Sequence, residues 1–334
     1  MDNYLISTVA FHVSYVCTHR CPMCYAYTQK NEISIRFPPL LQVEKVVSKL
    51  VENNIKNISF VGGDPAIYPY ILELSKFASS LGCCLSILSN TLEFGKDAID
   101  VANYINCFEG TIHDSTAEAH DAFCKKKGAY ELLTYNLKSF SDMGKKIGLT
   151  LNLTPFTYNK IFDIVNAIVS KGINVGYLVL QRIIPFGRAE NSHLYELTIQ
   201  QLAIALDSVE RVEKEFDISI TFEDPFPLCV IEKKYYRYMH PCEWGLNKVS
   251  IDYNGNMSRC GADPRCTLGN IFEINSLSDW WQNADELLEF RKKNYLGKKC
   301  NNCELLDECG GACPISRNPD LGFTQDYISK LEEE

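Results

Sequence analysis

The chain has no run of clustered lysine and arginine with interleaved aromatics, and 42 acidic against 33 basic residues leave a formal net charge of −9. Nucleic-acid binding is therefore disfavoured, because it rests on neutralising phosphates with cationic side chains. The opening MDNYLISTVAFHVSY lacks a basic n-region and a cleavage site, and no apolar run approaches the length that spans a bilayer. These absences predict a cytoplasmic protein with no membrane contact. Internal repeats and low-complexity tracts are missing, and no Ser/His/Asp set or pair of carboxylates stands out. Disorder and a small disulfide-stapled scaffold are excluded by size, since 334 residues with 46% hydrophobic positions can bury a large core.

Cysteine, in contrast, is abundant: fifteen residues, at positions 17, 21, 24, 83, 84, 107, 124, 229, 242, 260, 266, 300, 303, 309 and 313. Packing alone does not account for so many. A reducing compartment keeps thiols unpaired, so a disulfide framework is the weaker account and soft-metal ligation the stronger. The distribution agrees, with a tight trio near the start, singles through the middle and a dense set after 229.

Residues 5–15 (LISTVAFHVSY) read as a buried strand running into the first trio, which places the trio at a strand's C-terminal end. FPPLLQVEKVVSKLVENN then has helical periodicity, and NISFVGG is a short apolar strand ended by glycines. The alternation continues with helix at about 69–81, strand 84–89, helix near 97–104, strand 105–112, helix 129–143, strand 147–154, helix 160–171, strand 174–183 and helix 198–215. Six strands alternating with helices predict a parallel sheet that curls toward a barrel, with chemistry collected on loops after the strands' C-terminal ends. The Cys17 loop, Gly62–Gly63 and Ser89–Asn90 all fall there. From about residue 224 (DPFPLC) short strands, turns and cysteines take over. The expected architecture is α/β, a partial (β/α)6 TIM-type barrel over residues 1–223 followed by a small cysteine-rich domain over 224–334.

Cys17, Cys21 and Cys24 are spaced C-x3-C-x2-C on one loop, CTHRCPMC. Thiolates at this close spacing hold iron–sulfur clusters; three of them wrap one face of a cubane and leave one iron unfilled. Structural zinc normally wants four protein ligands, and no fourth follows nearby. A zinc knuckle or a group of reduced core thiols is the plainer alternative.

The trio's spacing resembles that of the radical S-adenosylmethionine (SAM) superfamily, and GGDP at 62–65 resembles that family's GGEP signature. The resemblance implies a [4Fe–4S] cluster with an open iron chelated by SAM and reduced by a flavodoxin- or ferredoxin-type donor. SAM cleavage then yields a 5′-deoxyadenosyl radical. It also implies a cofactor-binding set of Tyr25, Gly62, Gly63, Asp64 and Pro65, with Ser89, Asn90, Asn152 and Arg182 meeting the ribose and methionine ends of SAM. Gly62 and Gly63 have no Cβ to hold the SAM ammonium off the backbone. Asp64 departs from the usual Glu by one methylene, and polarizable Met23 stands where an aromatic often packs on adenine.

Further on, Cys242, Gly255 and Cys260 give C-x12-G-x4-C, and Cys300, Cys303, Cys309 and Cys313 give C-x2-C-x5-C-x3-C. VSIDYNGNMSR between Cys242 and Cys260 reads as a hairpin with Asn-Gly at its turn. These spacings, with LGNI at 268–271, resemble the SPASM (or twitch-like) extension of radical SAM enzymes, which carries auxiliary [4Fe–4S] clusters. The resemblance implies a first auxiliary cluster on Cys242, Cys260 and Cys313 and a second on Cys300, Cys303 and Cys309. Cys229 or Cys266 is expected to complete the first, Cys229 being favoured, and either is otherwise a free thiol. The pattern wants one more cysteine after Cys313, where PISRNPDLGFTQDYISKLEEE has none. The second cluster then has an open iron, takes Asp326 as ligand, or is absent. A zinc-ribbon-like fold using four of these cysteines is the competing account.

Cys83, Cys84 and Cys107 read as small hydrophobes of strands. Cys124, in HDAFCKKKG, stands beside Lys125, Lys126 and Lys127, whose charge is expected to lower its pKa. With Cys229 and Cys266 it is a candidate hydrogen-atom donor. His120–Asp121 resembles a segment common in SPASM enzymes, or else belongs to an exposed polar loop. By resemblance, the substrate is a ribosomally synthesised peptide or a protein side chain, altered by cross-linking, epimerisation or dehydrogenation. Sixteen residues precede Cys17, so a leader-binding domain is not expected ahead of it, and a separate peptide-recognition protein or direct docking is expected instead. Dehydrogenation or epimerisation of a sugar or aminoglycoside-type small molecule is the alternative, to which an acidic protein is weakly complementary. A non-catalytic Fe–S electron carrier is the third reading.

Overall fold

Strand residues of this chain are apolar at alternate positions, and the computed structural model, which describes residues 4–26, 37–184, 186–189, 196–263, 266–296 and 298–317, shows where each face goes. Strands β1 (Thr8–Ser14), β2 (Asn57–Gly62), β3 (Cys84–Ser89), β4 (Cys107–Ile112), β5 (Lys146–Leu153), β6 (Val175–Arg182) and β7 (Ser219–Phe222) lie parallel and in sequence order. Val9, Phe11, Ile58, Phe60, Leu85, Ile87, Phe108, Leu178 and Leu180 pack in one apolar core with the buried residues of the helices. Their alternates, among them Ala10, His12, Ser59, Ser86, Glu109 and Tyr177, line a cavity of about 360 Å³ inside the curl. The period of two thus separates a helix-covered face from a polar interior.

Helices α1 (Leu40–Glu52), α2 (Ile71–Ser80) and α3 (Ala98–Ala102) precede α4 (Ala117–Cys124) and α5 (Ala129–Asp142), with α6 (Ile161–Val169) and α7 (Ile199–Phe216) completing the layer. The last begins at a reciprocal cap, in which Thr198 Oγ1 accepts from the Gln201 amide at 3.1 Å and Gln201 Oε1 accepts from the Thr198 amide at 2.9 Å. Its buried stripe is Leu202, Ala205, Leu206, Val209 and Val212, the spacing of one helix face. No helix among the described residues is long and apolar enough to cross a membrane.

Two elements differ from the sequence expectation. The four-residue β7 adds a seventh parallel strand too short to show a pattern. The His120–Asp121 segment is not an exposed loop but α4, capped by Thr116 Oγ1 and burying His120 and Cys124 one turn apart. With only two buried positions, an eight-residue helix leaves little periodic signal.

The hairpin expected between Cys242 and Cys260 forms as β8 (Lys248–Asp252) and β9 (Asn256–Ser258), followed by β10 (Thr267–Asn270). It extends the barrel's own sheet, since β8 pairs in parallel with β1 through Val9↔Val249 and Phe11↔Ile251. The sheet order is therefore β10-β9-β8-β1-β2-β3-β4-β5-β6-β7. Its curl brings β8 back toward β7, where Lys248 Nζ lies 3.3 Å from Glu223 and 2.8 Å from Glu243. Side chains span this seam.

Room inside the curl depends on Gly148 of β5, where a Cβ would sit 2.1 Å from Cζ of Tyr177. That ring is held in place, its hydroxyl donating to Glu109 at 2.8 Å and lying 3.0 Å from the Cys107 thiol. Gly148→Ala is expected to lower stability by about 1–3 kcal/mol, the usual cost of overpacking. Urea unfolding of the anaerobic holoprotein checks this; an unchanged midpoint would mean that Tyr177 moves aside freely.

Candidate active site

The chain leaving β1 passes directly over the end of β2. Gly63 N donates to Ser14 O at 2.9 Å and Asp64 N to Val16 O at 2.8 Å. A Cβ on Gly62 would meet Ser14 O at 2.1 Å, and one on Gly63 would meet Val16 O at 2.3 Å; Gly62 also has φ of +132°. These glycines make room for the protein's own backbone, a use of the missing Cβ different from the one the sequence suggested.

Asp64 is fully buried and turned into the protein. Its Oδ1 accepts from Ser89 Oγ at 2.7 Å and from the Ala66 amide at 3.2 Å, and its Oδ2 from Asn90 Nδ2 at 3.4 Å. Burial raises its pKa against the pull of these bonds. Ser89 Oγ also accepts from the Leu92 amide at 2.8 Å, so both side chains are occupied in joining the ends of β2 and β3. Asn90 Nδ2 lies 3.5 Å from Cys17 Sγ, which completes a path from Asp64 to the first cysteine.

Cys17, Cys21 and Cys24 share one loop, and none of the fifteen cysteines is disulfide-bonded. Burial raises the pKa of Cys21, and the thiols of Cys124, Cys17 and Cys24 add to the rise. Four sulfurs thus feel one another here. The loop is clamped from β6's side by a turn (Gly187–Ala189) in which Arg188 N donates to Cys24 O at 3.1 Å and Arg188 Nη1 to Cys21 O at 3.2 Å. Gly187 is required at the contact, where a Cβ would stand 2.4 Å from Cys24 O. Neither residue was expected from the sequence, although both sit in the PFGRA segment after β6. Between the cysteines, His19 is buried with neither ring nitrogen hydrogen-bonded, and burial lowers its pKa to about 4.

Cys124 departs from expectation. It lies at the end of α4 with its thiol 1% exposed, and it is not among the residues lining the cavity. Burial raises its pKa to about 11, opposed by a backbone hydrogen bond to Lys126 and, after it, by the Lys126 charge. A thiol lowered by surrounding cations is therefore not what the fold builds.

Of the cofactor set, Tyr25, Asn152 and Arg182 line the cavity, while Gly62, Gly63, Asp64, Pro65, Ser89 and Asn90 gather at the ends of β2 and β3 beside it. Met23 and Tyr25 bring the first cysteine loop to the cavity wall, and Cys260, Gly261 and Trp244 bring the second cysteine region to it. Polar groups at this wall are strongly perturbed by burial. Asp224 is raised to about 7, with Glu223 adding to the rise and Arg182 opposing it, and His12 is lowered to about 4.

Cys242, Cys260 and Cys313 are all buried, and each pair among them interacts electrostatically or shares a core cluster. Burial raises all three thiols, Cys313 to about 11. Asp224 is a further charged neighbour of Cys242 and Cys313. The Cys266 Sγ is held 2.9 Å from Arg259 Nη2, and the ionisable neighbours that shift it are Arg259 and Asp263. Cys229 neighbours Cys309, Cys300 and Cys303. This follows from the path of residues 223–231, which lead from the end of β7 to the other cysteine set. Asp326 lies outside the described residues.

The donor set suits iron–sulfur ligation. Three cysteines share one loop, hydrogen-bond donors at His19 N (3.4 Å) and Asn90 Nδ2 (3.5 Å) reach Cys17 Sγ, and the buried Cys21 thiol, raised in pKa, needs a metal to deprotonate it.

Comparison with known proteins agrees. The radical SAM superfamily model matches residues 11–184, and the SPASM iron–sulfur cluster-binding domain matches 242–304. An AdoMet-dependent heme synthase of Oleidesulfovibrio alaskensis is 22% identical over 332 residues, covering 91% of this chain and 81% of that protein. A PqqA peptide cyclase of Rhizobium meliloti is 22% identical over 314 residues, covering 89% and 80%. The fold is similar to that of Streptococcus suis SuiB bound to precursor peptide SuiA, with a TM-score of 0.74 at 17% identity over 94% of this chain and 73% of that one. With its cysteine loop at the end of β1 and the superfamily model matching more than half its length, the chain belongs to the radical SAM superfamily and carries a C-terminal SPASM iron–sulfur cluster-binding domain.

Proposed function

We propose that this enzyme uses SAM-derived radical chemistry to modify a side chain of a ribosomally synthesised peptide or protein, with Cys17, Cys21 and Cys24 holding the SAM-cleaving cluster. A [4Fe–4S] cluster held by these three thiols would supply the electron that cleaves SAM and so the radical chemistry that attacks a C–H bond. The observation that carries the reading is the single cavity walled by Met23 and Tyr25 on one side and by Cys260 on the other. A group held there lies between the two cysteine regions.

The chain's own residues supply position and seclusion. Asp64 and Ser89 fix the end of β3, from which Asn90 reaches Cys17, and Arg188 holds the loop's carbonyls. Tyr25, Asn152 and Arg182 face the cavity and are the groups available to orient SAM or substrate. Ile184, Phe186 and Trp244 form an apolar wall beside Cys260 and Cys313, which keeps water from a radical. A volume of about 360 Å³ admits a side chain with its local backbone, not a folded domain. The peptide named with SuiB and the peptide cyclase among the relatives support that substrate class.

Anaerobically reconstituted protein, given SAM and dithionite, is expected to release 5′-deoxyadenosine, and replacing Cys17, Cys21 or Cys24 by Ala is expected to reduce release to background. Full iron loading without any SAM cleavage would favour an electron carrier. Deuterium should pass into 5′-deoxyadenosine from a labelled peptide; transfer from a labelled aminocyclitol alone would overturn the peptide reading in favour of a sugar or aminoglycoside.

Asp64→Ala leaves the Ser89 hydroxyl, the Ala66 amide and the Asn90 amide without their acceptor. Such losses cost about 1–3 kcal/mol per buried group. A lower thermal midpoint and a slower rate of 5′-deoxyadenosine release are expected, whereas Asp64→Asn, which keeps Oδ1, should retain most of both. If the alanine variant matched wild type in midpoint and rate, Asp64 would have no positioning role.

A further inference from the structure

The segment leaving β7 runs alongside the last cysteines of the chain. Pro225 O accepts from the Cys313 amide at 3.2 Å, and three residues on, the buried Leu228 anchors a short turn (Leu228–Val230) in the core. Cys229, between Leu228 and Val230, is exposed, on the side away from that anchor. Its thiol interacts electrostatically with those of Cys309, Cys300 and Cys303. Tyr236, on the next turn (Lys233–Tyr238), lies beside the same group, with Cys229, Cys309 and Cys303 among its ionisable neighbours.

The three downstream cysteines are gathered by consecutive turns. Cys303 N donates to Cys300 O at 3.0 Å, Leu306 N to Cys303 O at 3.1 Å and Cys309 N to Leu305 O at 2.8 Å. Gly310, with φ of +65°, then turns the chain so that Cys313 departs toward the other trio. Cys229 is thus a thiol neighbour of Cys300, Cys303 and Cys309 from outside their own segment, and it lies upstream of the region that the SPASM model covers.

We propose that Cys229 is the fourth protein ligand of the second auxiliary cluster, closing a Cys229/Cys300/Cys303/Cys309 quartet. The inference rests on the reading that Cys300, Cys303 and Cys309 hold a cluster. Ligation exchanges each S–H for an S–Fe bond and releases one proton per thiol, with no change in sulfur oxidation state. It gives an exposed thiol a partner and makes this cluster fully protein-ligated.

The test uses full-length protein whose Cys17, Cys21 and Cys24 are replaced by Ala, so that the auxiliary clusters alone are counted after anaerobic reconstitution. In that background Cys229→Ala should lower bound iron by one to four atoms per chain, the former as a three-iron cluster with its own paramagnetic signal. Cys266→Ala should lower it by none. Because Cys229 is exposed, its replacement leaves the core intact, which circular dichroism verifies. Independently, iodoacetamide should modify Cys229 in chelator-treated protein and at least tenfold more slowly in loaded protein. Unchanged iron, sulfide and spectrum in Cys229→Ala, or equal alkylation with and without the cluster, overturns the assignment. If Cys300→Ala and Cys303→Ala also leave the iron unchanged, the underlying cluster reading fails with it; if they lose iron and Cys229→Ala does not, only the fourth ligand is wrong.

Discussion

Everything at the mouth of this barrel depends on how closely the chain leaving β1 crosses the end of β2. Two backbone hydrogen bonds, Gly63 N to Ser14 O and Asp64 N to Val16 O, hold the crossing, and no side chain fits within it. Cys17, the first residue of the cysteine loop, follows Val16 directly. Asp64 extends the same junction to β3 through Ser89 and Asn90, and Arg188 closes it from β6. The cysteine loop is thereby braced by three strand ends, which is how loops on a barrel rim gain precision from a rigid scaffold.

The barrel interior completes the arrangement at a cost. A packed barrel fills its centre with branched apolar side chains, but here the inward positions include Ser59, Ser86, Glu109, Tyr177 and Lys248 beside Val61, Leu88 and Val179. Burial pushes Glu109 up in pKa, and it retains hydrogen bonds from Thr150 and Tyr177. Asp224 and His12 are likewise shifted toward their neutral forms. The helix-covered face, with strand residues such as Val9, Phe60 and Leu180 fully buried, offsets these desolvation penalties and leaves an interior free for ligands.

Much of this was legible in the sequence because it rests on local signals. Strand and helix periods placed β1 to β6 and α5 to α7 to within a few residues, and the cysteine spacings marked both cysteine regions before any coordinates. What escaped depends on tertiary contact. The tie of Asp64 to Ser89 joins residues 25 apart, and the clamp of Arg188 on Cys21 joins residues 167 apart. Neither leaves a pattern in one sequence. The lysines after Cys124 suggested an activated thiol because charge is visible in sequence and burial is not; burial has the larger effect and reverses the direction.

The same distinction separates the two auxiliary cysteine groups. Cys242, Cys260 and Cys313 are all buried, and Cys260 forms part of the cavity wall. The other group has Cys300 buried, Cys303 and Cys309 half-buried and Cys229 exposed, and none of these four lines the cavity. Spacing along the chain interleaves the groups, since Cys313 belongs with Cys242 although it follows Cys309 by four residues. Position in space sorts them, one facing the interior and one facing solvent. A group reached from solvent can exchange electrons with an outside partner, and a group in the cavity wall can meet a bound substrate. Chain topology carries residues 223–231 from β7 past Cys313, where Pro225 O accepts from its amide, and leaves Cys229 beside the outer group.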